Sequence, residues 1–194
     1  MANQSSKHRK FLATSLTAAM VASAVAPTAG FAAEAKSFKD VPADHWAKAS
    51  IDYLVGKGAI DGRPGGTFDL KSDITRGEAA KILSITLGLK IDDEAKASFK
   101  DAADHWASKY IAALQTQKEG VINGYDKDTF KPNAKITRQE MAKMVVTAYG
   151  LKLNENADVS FTDNNGWGAE FVNILASLGV VEGVAAGKFS PNEL

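Results

Sequence analysis

Two segments of this chain place an arginine between a threonine and a glutamate: Ile74-Thr75-Arg76-Gly77-Glu78 and Ile136-Thr137-Arg138-Gln139-Glu140. Thr followed three residues later by Glu spells a capping box. The hydroxyl accepts from the N3 amide, and the carboxylate reaches back to the cap amide. That accounts for Thr and Glu but not for the Arg between them. A cation in the first turn sits against the positive end of the helix dipole. Its presence in both motifs points to an anion close by. One reading is an anionic ligand, because a helix N-terminus gathers free amides and a guanidinium offers a fork matched to a carboxylate. The other is an internal ion pair with a neighbouring acid such as Asp73 or Asp61. Residue types leave both open.

A capping box must open a helix, and the residues that follow have helical periodicity. Ala79, Ile82, Leu83 and Thr86 find their counterparts in Met141, Met144, Val145 and Ala148, which stand at the same places after the second motif. A first helix precedes each of these. Ile51, Leu54, Val55 and Gly58 fall on one face, as do Ile111 with Leu114, and Val172, Leu175, Ala176 with Gly179. The glycine after each first helix suits a left-handed C-terminal cap. Short extended pieces are expected around Phe68 and Phe130. The segments 88–98 and 150–160, with Gly, Asp, Glu and Asn, read as linkers.

These pieces belong to a unit written three times. Phe38-Lys39-Asp40, Phe99-Lys100-Asp101 and Phe161-Thr162-Asp163 each open a segment, at nearly constant spacing. Trp46, Trp106 and Trp167 follow the openings. Gly58 to Gly62, Gly120 to Gly124 and Gly179 to Gly183 form Gly-x-x-x-Gly turns, and Phe68, Phe130 and Phe189 come after them. Units of this size rarely bury their apolar faces alone; neighbours bury them for each other.

The segment 1–33 follows other rules. Lys7, Arg9 and Lys10 precede an apolar, Ala-rich stretch from Phe11 to Val25, and Pro27, Gly30, Ala32 and Ala33 close it. This order is that of a secretory signal peptide, cut after Ala32 or Ala33. It takes three of the 23 basic residues and none of the 23 acidic ones, so 34–194 keeps 20 against 23, a formal charge of −3. That argues against nucleic acid and against an acidic lipid surface as partners. There is no cysteine, hence no disulfide, thiolate metal site or thiol nucleophile. No His-x-x-x-His pair or Gly-x-Ser-x-Gly elbow appears. His45 and His105 each precede a Trp, and repetition favours a structural role. No cofactor and no metal is called for by these residues. Carboxylates are plentiful, but their repetition suits three similar binding surfaces better than one catalytic centre.

Taken together, the Phe-x-Asp openings, the Trp residues, the glycine turns and the Thr-Arg-x-Glu helix starts resemble S-layer homology (SLH) domains, the wall-anchoring modules of bacterial surface proteins. The resemblance covers 38–194. It divides the chain into a signal peptide at 1–33 and repeats at 34–91, 92–153 and 154–194. It implies a mainly α fold, three helix-loop-helix repeats in a pseudo-threefold spindle around a central three-helix bundle. It also implies a noncatalytic anchor that tethers an S-layer or other surface protein to the cell wall. The implied ligand is secondary cell-wall polysaccharide bearing a pyruvate ketal on an amino sugar. Alternatives are direct binding to peptidoglycan and the wall-targeting part of a secreted glycan-active enzyme.

Carried over by position, Arg76 and Arg138 would grip the ketal carboxylate. Gly62 and Gly124 would let a sugar approach the backbone. Trp46, Trp106 and Trp167 would stack on a sugar, although packing in the core is the commoner fate of a Trp. Asp40, Asp101 and Asp163 would accept from sugar hydroxyls or cap the first helices. There are two departures from the family pattern. Gly77 stands where Ala is usual and should loosen the first motif. The spacing from Phe189 calls for a third Arg near position 197, past Leu194, so the third repeat reads as incomplete, its groove unfinished and its helix partly uncovered. Self-assembly through missing C-terminal domains is expected for the parent protein.

Overall fold

The computed structural model describes residues 37–194, so the signal peptide expected at 1–33 lies outside the described residues. Five helices follow in order: α1 (Lys48–Gly56), α2 (Arg76–Thr86), α3 (Ser108–Gln117), α4 (Arg138–Tyr149) and α5 (Ala169–Ser177). They are the first and second helices of repeats one and two and the first helix of repeat three. Among the described residues the expected extended pieces shrink to isolated bridges, Arg63 with Thr67, Thr75 with Lys135 and Ala185 with Lys188.

The helix ends follow from local chemistry. Both capping boxes form. Thr75 accepts from the Glu78 amide at 3.2 Å, and Glu78 accepts from the Thr75 amide at 2.8 Å. Thr137 and Glu140 repeat the exchange at 3.4 and 2.9 Å. The first helices have no side-chain cap of this kind. Instead, the Nδ1 atoms of His45 and His105 accept from the amides of Ala47 and Ala107, each at 3.2 Å, which gives the repeated histidines their structural task. Gly58, Gly120 and Gly179 close the first helices in the left-handed region, at φ of 72°, 82° and 67°.

The first turn of each second helix docks on the next repeat. The Arg76 and Gly77 amides donate to Ala134 and Pro132 carbonyls, both at 2.9 Å. The Arg138 and Gln139 amides donate to Glu193 and Pro191 carbonyls, at 2.9 and 3.0 Å. These donors have no partner inside a helix, and here the following repeat supplies it. Gly77 belongs to this contact. A Cβ there would meet the Pro132 carbonyl at 3.1 Å and Ala107 at 3.2 Å, closer than ordinary van der Waals contact, so the backbone at Gly77 lies tight against the next repeat.

The core follows the same logic. α2 packs along α3, α4 along α5, and α2 touches α4 lightly. Ala79, Ala80 and Leu83 of α2 join Ile111 and Leu114 of α3, with Phe99, Val121 and Phe130. Ala142 and Val146 of α4 join Val172 and Leu175 of α5, with Phe189. Phe38, Val41 and Ile51 form a small cluster around α1. The protein is thus mainly α, as expected. Among the described residues the most extensive helix contacts run from the second helix of one repeat to the first helix of the next. That is why α2 also buries Ala80 and Ser84, beyond the face that its periodicity predicts.

Candidate functional site

The opening aspartates clip the loops. Asp40 accepts from the amides of Phe68 and Asp69 at 2.8 and 2.7 Å. Asp101 accepts from Phe130 and Lys131 at 2.8 and 2.7 Å, and Asp163 from Phe189 and Ser190, both at 2.9 Å. None caps a first helix. The second amide in each clip belongs to a residue with positive φ: Asp69 at 67°, Lys131 at 58° and Ser190 at 57°. The Phe68 amide, more than any other group, holds the Asp40 carboxyl below the usual carboxylate range, and the Phe189 and then Ser190 amides do the same to Asp163. Each opening Phe also meets its partner after the turn, with ring centroids 5.4 to 5.5 Å apart.

Within this frame Gly62 and Gly124 have no alternative. A Cβ on Gly62 would come within 2.1 Å of the Phe38 ring and 2.8 Å of the Thr67 carbonyl. On Gly124 it would lie 2.3 Å from the Asp126 carbonyl and 2.5 Å from the Phe99 ring. The turn glycines therefore admit their own opening Phe. They also line a groove, as described below.

Arg76 crosses from repeat one into repeat two. Its side chain is 7% exposed. Nε donates to the Phe130 carbonyl at 2.9 Å, one terminal nitrogen to the Asn123 carbonyl at 2.8 Å, and the other to Glu140 at 3.0 Å. The guanidinium lies 4.6 Å from the Phe130 ring centroid and 5.0 Å from that of Tyr125. The anion beside it is thus Glu140, whereas Asp61 pairs with Lys81 and Asp73 with Lys135. Three of the five guanidinium donors are used, which leaves about two. Arg138 makes the equivalent crossing into repeat three. It donates to the Phe189 and Glu182 carbonyls at 2.9 and 3.1 Å and lies 4.3 Å from the Phe189 ring centroid. Among the described residues it has no carboxylate partner within ion-pair distance.

The tryptophans are outside the core. Trp46, Trp106 and Trp167 are 88%, 52% and 58% exposed, which overturns the core-packing alternative. Two of them wall matching grooves at the repeat junctions. The first groove is lined by Asp61, Gly62, Arg63, Glu78, Lys81 and Trp106, among others. The second is lined by Arg76, Asn123, Gly124, Tyr125, Glu140, Lys143 and Trp167, with Val121 and Met144 at its base. In both, a guanidinium stands on the capping-box glutamate. In the first it comes from the repeat's own loop, as Arg63 donates to Glu78 at 2.8 Å. In the second it is Arg76. Each groove also holds a lysine on its second helix. Lys81 pairs with Asp61, while Lys143 lies against the neutral Asn123 side chain; with that amide turned to suit its neighbours, its oxygen accepts from the ammonium and its nitrogen donates to the Ile122 carbonyl at 3.0 Å.

The structure therefore brings Arg76, Gly124 and Trp167 together, and Gly62 with Trp106. It leaves Trp46 apart from both grooves and Arg138 at the third loop. Sequence reasoning missed Arg63, Lys81 and Lys143. The lysines carried a signal, since Lys81 and Lys143 occupy the same position in α2 and α4. Arg63 carried none, because Tyr125 takes its place in repeat two. Among the described residues no group of three or more His, Cys, Asp or Glu is placed to hold a metal ion, and no helix is long and apolar enough to cross a membrane.

Two-helix units that share their cores and form a Trp-walled groove at each junction define a tandem helical repeat module. The chain belongs to the S-layer homology domain family, which it matches over residues 37–80, 98–142 and 160–194. It is 46% identical over 193 residues to S-layer protein EA1 of Bacillus anthracis, covering 98% of this chain and 22% of that protein. It is 47% identical over 193 residues to an S-layer protein of Bacillus licheniformis, covering 98% and 21%. An uncharacterized cell wall amidase of Bacillus anthracis is 44% identical over 187 residues, covering 94% and 34%. The chain thus spans between 21% and 34% of the length of these relatives.

Proposed function

We propose that this chain is a noncatalytic module that anchors a surface protein to the bacterial cell wall by binding secondary cell-wall polysaccharide through a carboxylate, such as a pyruvate ketal. The second groove carries the reading. It sets Lys143 and the unused donors of Arg76 beside the open face of Trp167. A carboxylate accepts from the two cations, which are worth more together in a partly dry groove than in water. The apolar face of the sugar lies on the indole. Arg138 presents the same group at the third loop. Asp40, Asp101 and Asp163 act through the loops they clip. Weak grooves on one repeating polymer reinforce each other, since a second contact forms at high effective concentration.

The relatives support an anchor. A module shared by S-layer proteins and a cell wall amidase serves what such proteins have in common, which is the wall. The amidase favours a second reading, in which the same module targets an enzyme to its substrate. Binding to peptidoglycan itself is the competing chemistry.

A wall pull-down tests the reading. The chain is mixed with purified wall, with wall stripped of ketal by mild acid, and with wall freed of its secondary polysaccharide. Retention on the untreated wall alone is the expected result. Equal retention on acid-treated wall removes the carboxylate, and retention on bare peptidoglycan moves the ligand there.

A further inference from the structure

We propose that, of the two grooves, only the second recognises a carboxylate, and that the exchange of Asp61 for Asn123 between repeats sets the difference. The proposal rests on the carboxylate reading above and makes it specific. The two grooves share a fold but not a charge. In the first, Arg63 and Lys81 face Asp61, Asp69 and Glu78, and each cation already has a carboxylate partner. An incoming carboxylate must displace Asp61 from Lys81 and then sit among three acids. In the second, Arg76 and Lys143 face Glu140 alone. Lys143 rests on the neutral Asn123, so its ammonium has no carboxylate to give up.

The guanidiniums differ as well. Arg76 is 7% exposed, fixed by two carbonyls and Glu140, and flanked by two rings. Arg63 is 40% exposed and held by Glu78. A fixed donor loses less freedom on binding than a mobile one. Both terms favour the second groove for an acidic sugar. The first, with an acidic surplus beside Trp106, suits a neutral or amine-bearing sugar of the same polymer. The polymer is then read as an acidic residue beside a non-acidic one, not as one residue bound twice.

The tryptophans report on the grooves separately. The indole N–H resonances of Trp106 and Trp167 are followed by NMR, with Trp46, 88% exposed and outside both grooves, as the control. The probe is the methyl glycoside of an N-acetyl amino sugar carrying a pyruvate ketal, compared with its methyl ester. Trp167 should saturate at ligand concentrations at least about fivefold below those for Trp106, and the ester should lose that preference. Asn123→Asp should weaken binding at Trp167 about fivefold, and Asp61→Asn should strengthen binding at Trp106 by a similar factor. Equal affinities at the two tryptophans, insensitive to both exchanges, would overturn the proposal while leaving the carboxylate reading intact. No shift at either tryptophan with either probe would remove the reading and the proposal together.

Discussion

At the scale of the residue, the aspartate clips explain why three unlike residues accept a left-handed backbone. A side chain there costs about 1–2 kcal/mol, and the clip holds the loop in that form. Ser190→Gly should therefore raise stability by about 0.5–1 kcal/mol in denaturant unfolding, after the glycine's own entropy is counted. Lys131→Gly should gain less, because the Lys131 ammonium lies 4.1 Å from the Tyr125 ring centroid and that contact would go. The same clips predict an acid dependence. The Asp40 and Asp163 carboxyls titrate lower folded than unfolded. Their contribution is complete above about pH 4, the unfolded value, and is lost as pH falls through the folded one. Thermal midpoints measured between pH 5 and 2.5 should fall on the acid side, and Asp40→Asn should flatten that fall. A curve unchanged by the substitution would mean that other carboxylates govern acid unfolding.

At the scale of the element, the capping boxes were fully legible in the sequence, because Thr75 and Glu78 meet within a single helical turn. The role of Arg76 was only half legible. Its position demanded an anion, but the partner, Glu140, lies 64 residues away, where no local pattern points. That glutamate serves two helices. One oxygen completes the α4 capping box; the other receives Arg76 and, at 3.2 Å, the Tyr125 hydroxyl. Arg76→Ala should thus cost about 2–4 kcal/mol, since it strands a partly buried carboxylate and two carbonyls. Arg138→Ala removes two carbonyl contacts at a more open site and should cost about 1–2 kcal/mol. Equal losses in urea unfolding would contradict this ranking. Because Arg76 holds the fold as well as lining the groove, Lys143→Ala is the cleaner probe of binding. It should reduce wall retention with little change in unfolding.

At the scale of the molecule, the sequence displayed three units, their period and their helical character. It did not show which helix meets which. Each apolar face suggested a partner, but periodicity cannot say whether that partner lies in the same repeat or the next. The answer lies in backbone groups, which carry no sequence signature: Arg76 and Gly77 donate to Ala134 and Pro132, and Arg138 and Gln139 to Glu193 and Pro191. Stability is then shared between neighbours, as in other repeat proteins. A chain ended at residue 91 should leave the α2 amides unprotected in hydrogen exchange, although every residue of α2 is present. Strong protection there would show that a single repeat suffices. The same arrangement gives the chain a direction in time. A polypeptide that leaves a narrow channel with its amino end first delivers α2 before the carbonyls that receive it. Each second helix must wait for its successor, so every unit is completed from behind.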